Sequence, residues 1–489
     1  MPATAPRRLP SPLVIAIVAL AGVMFALTLS KGVRDSDYFW HLATGNLIAH
    51  SGRVPSVDPF SFTWSGQPWT PHEWLSELLI YLLVSGLGAV GALAIFALFP
   101  GAIFTVIAAA MARRGARANA VILPLVLGAF ALIPYVTLRP QAISWLFLAG
   151  LIWLLLAARP EHPRRLLWLI PYFVLWANLH GLYVVGIGVV GLYMLFTLAG
   201  RTPMSASRGW VLGVTAGVIG ASMFTPAGPI GILYPLRYVD AGDWGLAHIQ
   251  EWQSPDFHNA AHWAFLALIV AVGLNGGRRT PGWLVALSWI GITMGLVALR
   301  NIPVAVVFSV PTLILGLESR LEERDARRPR RAPAQPTGRR VVEMVVVAAV
   351  VIGSFAVLVP RDLNAAARTT LPKKFPVAAV DMLVQLQPDA NVLTEYGWGG
   401  YVISRVYDRG GHVFVDGRND MYSQQILEDY SAIRAADPGW QDLVARYGVQ
   451  AIILPPDATL TRGPATDAGW CEVYRDATQV LLLAASACP

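Results

Sequence analysis

Long apolar runs separated by short polar loops fill the chain up to residue 359, and beyond it the pattern turns to that of a water-soluble domain. A first run covers about Leu13 to Leu29, and others follow at about 88 to 112, 118 to 137, 141 to 158, 166 to 178, 181 to 199, 209 to 225, 260 to 275, 282 to 299, 302 to 317 and 341 to 359. A helix needs roughly 20 residues to cross the hydrocarbon core, so this pattern predicts a mostly α, polytopic helical membrane protein of about eleven spans. Several runs are short, and 74 to 112 has room for an interfacial helix or another span, so the count is open by about two. After residue 360, NVLTE, HVFVDG, AIILPP, CEVYR and QVLLLA read as strands, with helices at about 376 to 387, 398 to 407, 423 to 434 and 438 to 446. The expected organisation is a transmembrane domain over 1–359 with a first outer loop at 30–87, a basic linker at 318–340, and a C-terminal α/β domain over 360–489.

Charge places these elements across the membrane. Only 14% of residues are charged and 55% are hydrophobic. The net charge of +7 is carried by short arginine clusters between apolar runs, a distribution suited to membrane orientation and not to nucleic acid. With an uncleaved first span and a cytoplasmic N-terminus behind Arg7 and Arg8, alternate loops hold Arg113, Arg114 and Arg117; Arg159, Arg164 and Arg165; Arg201 and Arg208; Arg278 and Arg279; and the linker from Arg320 to Arg340. All of these fall inside, while Lys31, Arg34, Arg53, Arg139, Arg237 and Arg300 lie scattered outside. The linker, Pro-containing and charged, is expected to be a flexible connection lying on lipid headgroups. The protein is therefore expected in the inner or plasma membrane as a multi-pass protein, with its C-terminal domain extracytoplasmic.

This topology collects sequence-distant polar groups at the outer face. The stretch from Arg34 to Tyr81 holds Asp35, Asp37, His41, Asp58, His72 and Glu73, interleaved with Tyr38, Phe39, Trp40, Trp64, Trp69 and Trp74. Arg139, Asn178, His180, Tyr234, Glu251, Trp252 and Arg300 join them, which suggests a polar cavity opening outward; each could also simply cap a helix in the headgroup region. Asp37 is the first candidate for the chemistry and Asp35 the second. If 37 to 50 is helical, Asp37 and His41 share a face, and His41 could orient a base or join a metal site. Asp37 before YFWHLA also matches a helix N-cap. Asp58 reads as a turn residue, and His72 with Glu73 as the start of the next helix.

In the C-terminal domain, TEYGWGGYV and VFVDGRNDMY put Glu395, Tyr396, Trp398, Tyr401, Asp416, Arg418, Asn419 and Asp420 at strand ends, where ligands bind in open α/β sheets. DGRND equally reads as a turn with an internal Arg to Asp pair. The two cysteines, Cys471 and Cys488, could form a disulfide or remain independent thiols. CxxC, HExxH, Walker and GxSxG motifs are all missing.

An outer carboxylate in a partly apolar setting could act as general base towards a hydroxyl or amine. Asp35 and Asp37 together could instead hold a divalent cation, Mg or Mn, against a phosphate leaving group that Arg139 and Arg300 would bind. The order of parts, with Asp35-Ser36-Asp37-Tyr38-Phe39-Trp40-His41 in the first outer loop, resembles the GT-C superfamily of polytopic membrane glycosyltransferases, which includes protein O-mannosyltransferases, aminoarabinose transferases and oligosaccharyltransferases. The resemblance implies a polyprenyl-phosphate-linked sugar drawn from membrane lipid, an extracytoplasmic acceptor, and a first-loop aspartate as base or metal ligand. On it, Asp37, Asp35 and His41 become catalytic candidates, and Arg139, His180, Glu251, Arg300 and Tyr234 substrate-binding ones. The outer domain has no WWDYG-type motif, a departure from oligosaccharyltransferases that favours a simpler sugar over oligosaccharide transfer to peptide. A transporter, a flippase or an envelope scaffold are the alternatives outside catalysis; ionisable groups gathered at one face, without half-to-half symmetry, speak against transport.

Overall fold

The computed structural model describes residues 11–204, 207–234, 242–277, 279–327 and 337–488. Arg7, Arg8, Arg237, Arg278 and the middle of the linker, 328–336, lie outside the described residues. The protein is mostly helical, with one small sheet near the C-terminus. Its apolar helices are α1 (Pro12–Lys31), α3 (Trp74–Phe96), α4 (Leu98–Arg113), α5 (Ala118–Leu132), α6 (Gln141–Leu156), α7 (Leu169–Leu179), α8 (Tyr183–Leu198) and α9 (Arg208–Ser222) in the first half, α2 (Asp37–Ser51) lying in the first loop. Among the described residues, four helices are long and apolar enough to cross a membrane: Pro12–Lys31, Trp74–Arg113, Ala118–Tyr135 and Leu299–Ala326. The bent pair Val342–Leu358 and Leu363–Lys374 would make a fifth.

The helix expected to start at His72 and Glu73 begins at Trp74, and Trp74–Arg113, the run with room for an extra helix, is a 40-residue apolar stretch broken in direction at Gly88, whose φ of 72° only glycine adopts at low cost. The linker is helical where it is described: helix Ile302–Ala326 continues through ESRLEERDA, a run of good helix formers. Arg117 on Glu318 at 2.7 Å and Arg279 on Glu322 at 3.0 Å tie that extension to neighbouring loops.

The C-terminal sheet has the order β2-β1-β3-β5-β4, from β1 (Asn391–Thr394), β2 (His412–Val413), β3 (Ala451–Leu454), β4 (Cys471–Arg475) and β5 (Val480–Leu483). β2, β1 and β3 are parallel, and β5 and β4 add antiparallel. β1, β3 and β5 carry buried apolar runs, as a sheet covered on both faces requires. The Cys471 to Cys488 bond forms, joining the end of the chain to β4.

The first loop docks on this sheet. Phe62 N–H donates to Val413 O and Val413 N–H to Phe60 O, both at 3.1 Å, so residues 60–62 run beside β2. Helix α2 lies against the domain, Phe39 wedged edge-on between Phe375 and Tyr401 with ring centres 4.9 and 5.1 Å away. Helix Gly399–Val406 meets α2 at Gly400, where a Cβ would stand 2.8 Å from Ser36 O.

Candidate functional site

Helix α2 starts at Asp37, and the Asp35 carboxylate accepts the Asp37 N–H at 2.9 Å. Asp35 thus fastens the helix start and Ser36 takes the cap position, so Asp37 is not the N-cap. The Asp37 side chain turns to Arg139, whose three guanidinium nitrogens each meet a different carboxylate. Nε meets Asp35 at 2.5 Å, Nη2 meets Asp37 at 3.0 Å, and Nη1 meets Glu251 at 2.9 Å. Glu251 also faces Arg300 at 3.9 Å, and Arg300 lies over the Trp252 ring at 5.3 Å.

These groups line a cavity of about 420 Å³ between the first loop, the turns at Arg139 and Arg300, the segment His248–Trp252, and the C-terminal domain, which contributes Tyr396, Gly417, Asn419 and Asp420. Asp37, His41, Arg139, Glu251 and Arg300 all face it. Tyr234 stands behind the wall: its hydroxyl donates to Asp420 and its ring packs on His72 at 4.9 Å. His180 is likewise behind the wall, holding Glu73.

Glu73, read from sequence with His72 as an ordinary helix start, belongs with Glu77 to a second buried cluster. His41 reaches both, Nε2 to Glu73 at 3.5 Å and Nδ1 to Glu77 at 3.2 Å. Gly45 is what lets α2 lie close enough, since a Cβ there would overlap the Glu77 carbonyl. His180 Nε2 sits 3.0 Å from Glu73 Oε1, and its tautomer follows from its other nitrogen. Leu182 N–H donates to Nδ1 at 3.1 Å; Ser144 lies 2.9 Å from the same atom and accepts from Trp176 Nε1 at 2.7 Å, leaving its own proton to donate. Nδ1 is therefore the acceptor, and Nε2–H donates to Glu73.

Burial and these contacts set the charges. Burial pushes the Asp37 carboxyl up; Arg139 pulls against it, Asp35 and Glu251 add repulsion, and the result is about 7. Asp35 feels the same burial, but the charge and hydrogen bond of Arg139 win, and it stays below the ordinary carboxylate value. Burial also raises Glu73, but His180, through charge and then hydrogen bond, holds it well below the ordinary range. His180 is itself pushed down by burial, so near neutral pH the Nε2–H bond does the holding. Burial lowers His41 to about 4. The site thus pairs one carboxyl poised near neutrality with neighbours that stay ionised, a division suited to proton transfer.

The DGRND turn forms the expected internal pair and more. Arg418, 1% exposed, bonds Asp416 through Nε at 2.8 Å and Nη2 at 2.5 Å, and reaches Asp58 of the first loop through Nη1 at 2.8 Å. Asp58 is the expected turn residue, accepting the Phe60 and Ser61 N–H groups, and anchors the loop as well. Glu395 pairs with Arg434, and Trp398 donates to Lys374 O; neither faces the cavity. His248, stacked on Trp244 at 4.7 Å, reaches the cavity wall without a sequence signal.

No protein-family model and no curated protein matches the sequence. Solved structures do match. ArnT from Cupriavidus metallidurans in the apo state is similar at 15% identity and a TM-score of 0.54, over 97% of this chain and 98% of that one. The archaeal oligosaccharyltransferase AglB from Archaeoglobus fulgidus, in complex with an inhibitory peptide and a dolichol-phosphate, is similar at 11% identity and a TM-score of 0.55, over 91% of this chain and 69% of that one. The oligosaccharyltransferase of that organism in its apo form gives 12% and 0.57. At these identities the likeness is one of fold: the chain shares the fold of ArnT and of the archaeal oligosaccharyltransferase, the architecture that the first-loop motif and the order of parts led us to expect.

Proposed function

From the GT-C fold and the cavity chemistry, we propose that this protein is a membrane glycosyltransferase that moves a hexosyl or pentosyl group from a polyprenyl-phosphate donor to an extracytoplasmic acceptor in the cell envelope. The dolichol-phosphate bound in the archaeal oligosaccharyltransferase structure supports this donor class. The observation that carries the reading is Asp37: a carboxyl on the cavity wall, fixed by Arg139 and held near 7, is the group that general-base chemistry asks for. In this reading Asp37 takes the proton from the acceptor O–H or N–H, the freed lone pair bonds to the sugar C1, and the C1–O bond breaks with its electron pair on the departing phosphate. Arg300 faces that phosphate. Arg139, bonded to three carboxylates, orients Asp37 and leaves phosphate binding to others.

Asp35 and Asp37 suit a cation poorly, because the Arg139 guanidinium already lies against both. Among the described residues the donor set that fits one is His41, Glu73 and Glu77, whose ligand atoms lie within 4.8 Å of one another and where Glu77 Oε2 is buried without a hydrogen-bond partner. A divalent cation held there would supply positive charge beside the cavity to offset that of the leaving phosphate.

The test is transfer by purified protein in lipid, with a panel of polyprenyl-phosphate sugars, comparing wild type with Asp37→Asn and Asp35→Asn. Turnover by wild type that drops about a hundredfold or more in Asp37→Asn, with the fold kept, supports the base. Absence of turnover with every donor, or equal rates in Asp37→Asn, overturns the reading.

A further inference from the structure

A second cavity, of about 180 Å³, lies beside the first, and His72 lines both. It has none of the first cavity's carboxylates or guanidiniums. Its walls include Trp69, Trp74 and four prolines, and beside Ser56 and Thr70 two further hydroxyl residues line it, Tyr183 at the start of α8 and Thr225 beyond α9. Tyr183 is 2% exposed, and among the described residues neither its hydroxyl nor that of Thr225 has a hydrogen-bond partner; His72 Nδ1 is a third such atom. Both hydroxyls approach one point. A Cβ on Gly231 would stand 3.5 Å from Tyr183 Oη and 3.4 Å from Thr225 Oγ1, so glycine keeps open the space the two share. Buried polar atoms left unpaired cost free energy, and three of them around one small aromatic chamber mark a place a ligand completes.

The chemistry of the walls limits that ligand. Indole and proline faces suit flat, weakly polar C–H surfaces, and uncharged groups that both donate and accept suit hydroxyls. A charged ligand would find no counter-ion there. We infer that the cavity between Trp69, Trp74 and Tyr183 is a subsite for one neutral sugar ring, stacked on an indole and hydrogen-bonded by Tyr183 and Thr225, with His72 between it and the reaction chamber. The subsite deepens the glycosyl-transfer reading and rests on it only for the source of the ring, which is either the donor sugar or a saccharide acceptor.

The experiment uses the full chain in nanodiscs and saturation-transfer NMR with methyl glycosides of neutral hexoses and pentoses. Wild type saturates at least one glycoside; Tyr183→Phe and Gly231→Ala each weaken its binding about tenfold, the loss expected for a removed hydrogen bond or an occupied space. Tyr183→Phe keeps or raises thermal stability, because it deletes a hydroxyl that bonds to nothing. Asp37→Asn leaves glycoside binding unchanged. If glycosides fail to bind, or bind both variants as tightly as wild type, the hydroxyls meet only water and the inference falls. Glycoside binding with these losses but no transfer by wild type would sink the transferase reading and keep the subsite. Where transfer is measured, a raised KM for the polyprenyl-phosphate sugar in Gly231→Ala places the donor ring there, a raised KM for the acceptor places the acceptor, and two unchanged KM values overturn the subsite.

Discussion

Replacing Glu251 with Gln should move the acid limb of the transfer reaction to lower pH, and the size of the move follows from one guanidinium. Asp37 and Glu251 occupy neighbouring nitrogens of Arg139, at 3.0 and 2.9 Å. Their charges are then on the order of 6 Å apart, which at an effective dielectric of ~20 is a repulsion of about 3 kcal/mol. The Glu251 side chain is 36% exposed, and solvent screening reduces this to about half, or about one pK unit. Asp37 stands at about 7, so a base that works only when ionised gives a rate rising tenfold per unit below that pH and flat above it. With Gln at 251 the midpoint falls to about 6; near pH 6 the variant runs about fivefold faster than wild type, and near pH 8 the two agree. Transfer rates in nanodiscs across this range measure it, and infrared difference spectra give an activity-free readout, a protonated-carboxyl band that titrates with the same midpoint and is missing in Asp37→Asn. A midpoint that stays or rises on Glu251→Gln would refute the electrostatic account of Asp37.

Three further outcomes follow. Gly417→Ala should abolish transfer while the fold survives, because a Cβ there overlaps Asp37 Oδ1 and crowds Trp40 Nε1 at 3.1 Å; unchanged kcat would show that Asp37 can move without loss. Arg418→Met should cost about 3–5 kcal/mol by leaving buried Asp58 and Asp416 uncompensated, seen as a lowered unfolding midpoint and as protease cleavage in the first loop; wild-type stability and resistance would contradict the pairing. Asp37→Asn should change the pH dependence of stability. Raised from 3.8 to about 7, Asp37 binds its proton more tightly folded than unfolded, so its contribution is full below the ordinary carboxylate range and is lost as pH rises through about 7. Thermal unfolding of wild type should therefore weaken over that window relative to Asn by on the order of 4 kcal/mol, and parallel curves would count against the shift.

The helices were legible because apolar run length is a local property. Helices Tyr183–Leu198 and Gly282–Val297 fall within a few residues of the runs that predict them. β2 was less so: of HVFVDG only His412–Val413 is strand, since Phe414 and Val415 lead directly into the turn at Asp416 that Arg418 closes. At the site, Asp35 and Asp37 stood out as charge in an aromatic, apolar setting. Glu73 did not, because a carboxylate at a helix start is what the helix dipole favours anyway. Its partners His41 and His180 come from other elements, and nothing near it in the chain names them. Glu77 offered a signal, a lone carboxylate in WLSELLIYLL, where burial without a partner is costly. The linker was misjudged because charge and proline count outweighed the helix propensity of its first half.

Helix α2 belongs to two bodies at once, and that position ties the cavity to the C-terminal domain. One side carries Asp37 and His41 into the groups presented by the bundle and its turns, Arg139, Glu73 and Glu77. The other carries Phe39 into the aromatic slot of Phe375 and Tyr401. Gly400 and Gly417 are the points of closest approach, and each admits α2 only because it lacks a side chain. Gly417 lies directly against the Asp37 carboxylate, so the domain that roofs the cavity also sets how far that carboxylate can turn from Arg139. Arg418, the next residue, is locked to Asp58 in the first loop. Bundle, loop and C-terminal domain therefore converge within a few residues of Asp37, and loosening the Arg418 anchor should disturb Asp37 before it disturbs the helix bundle.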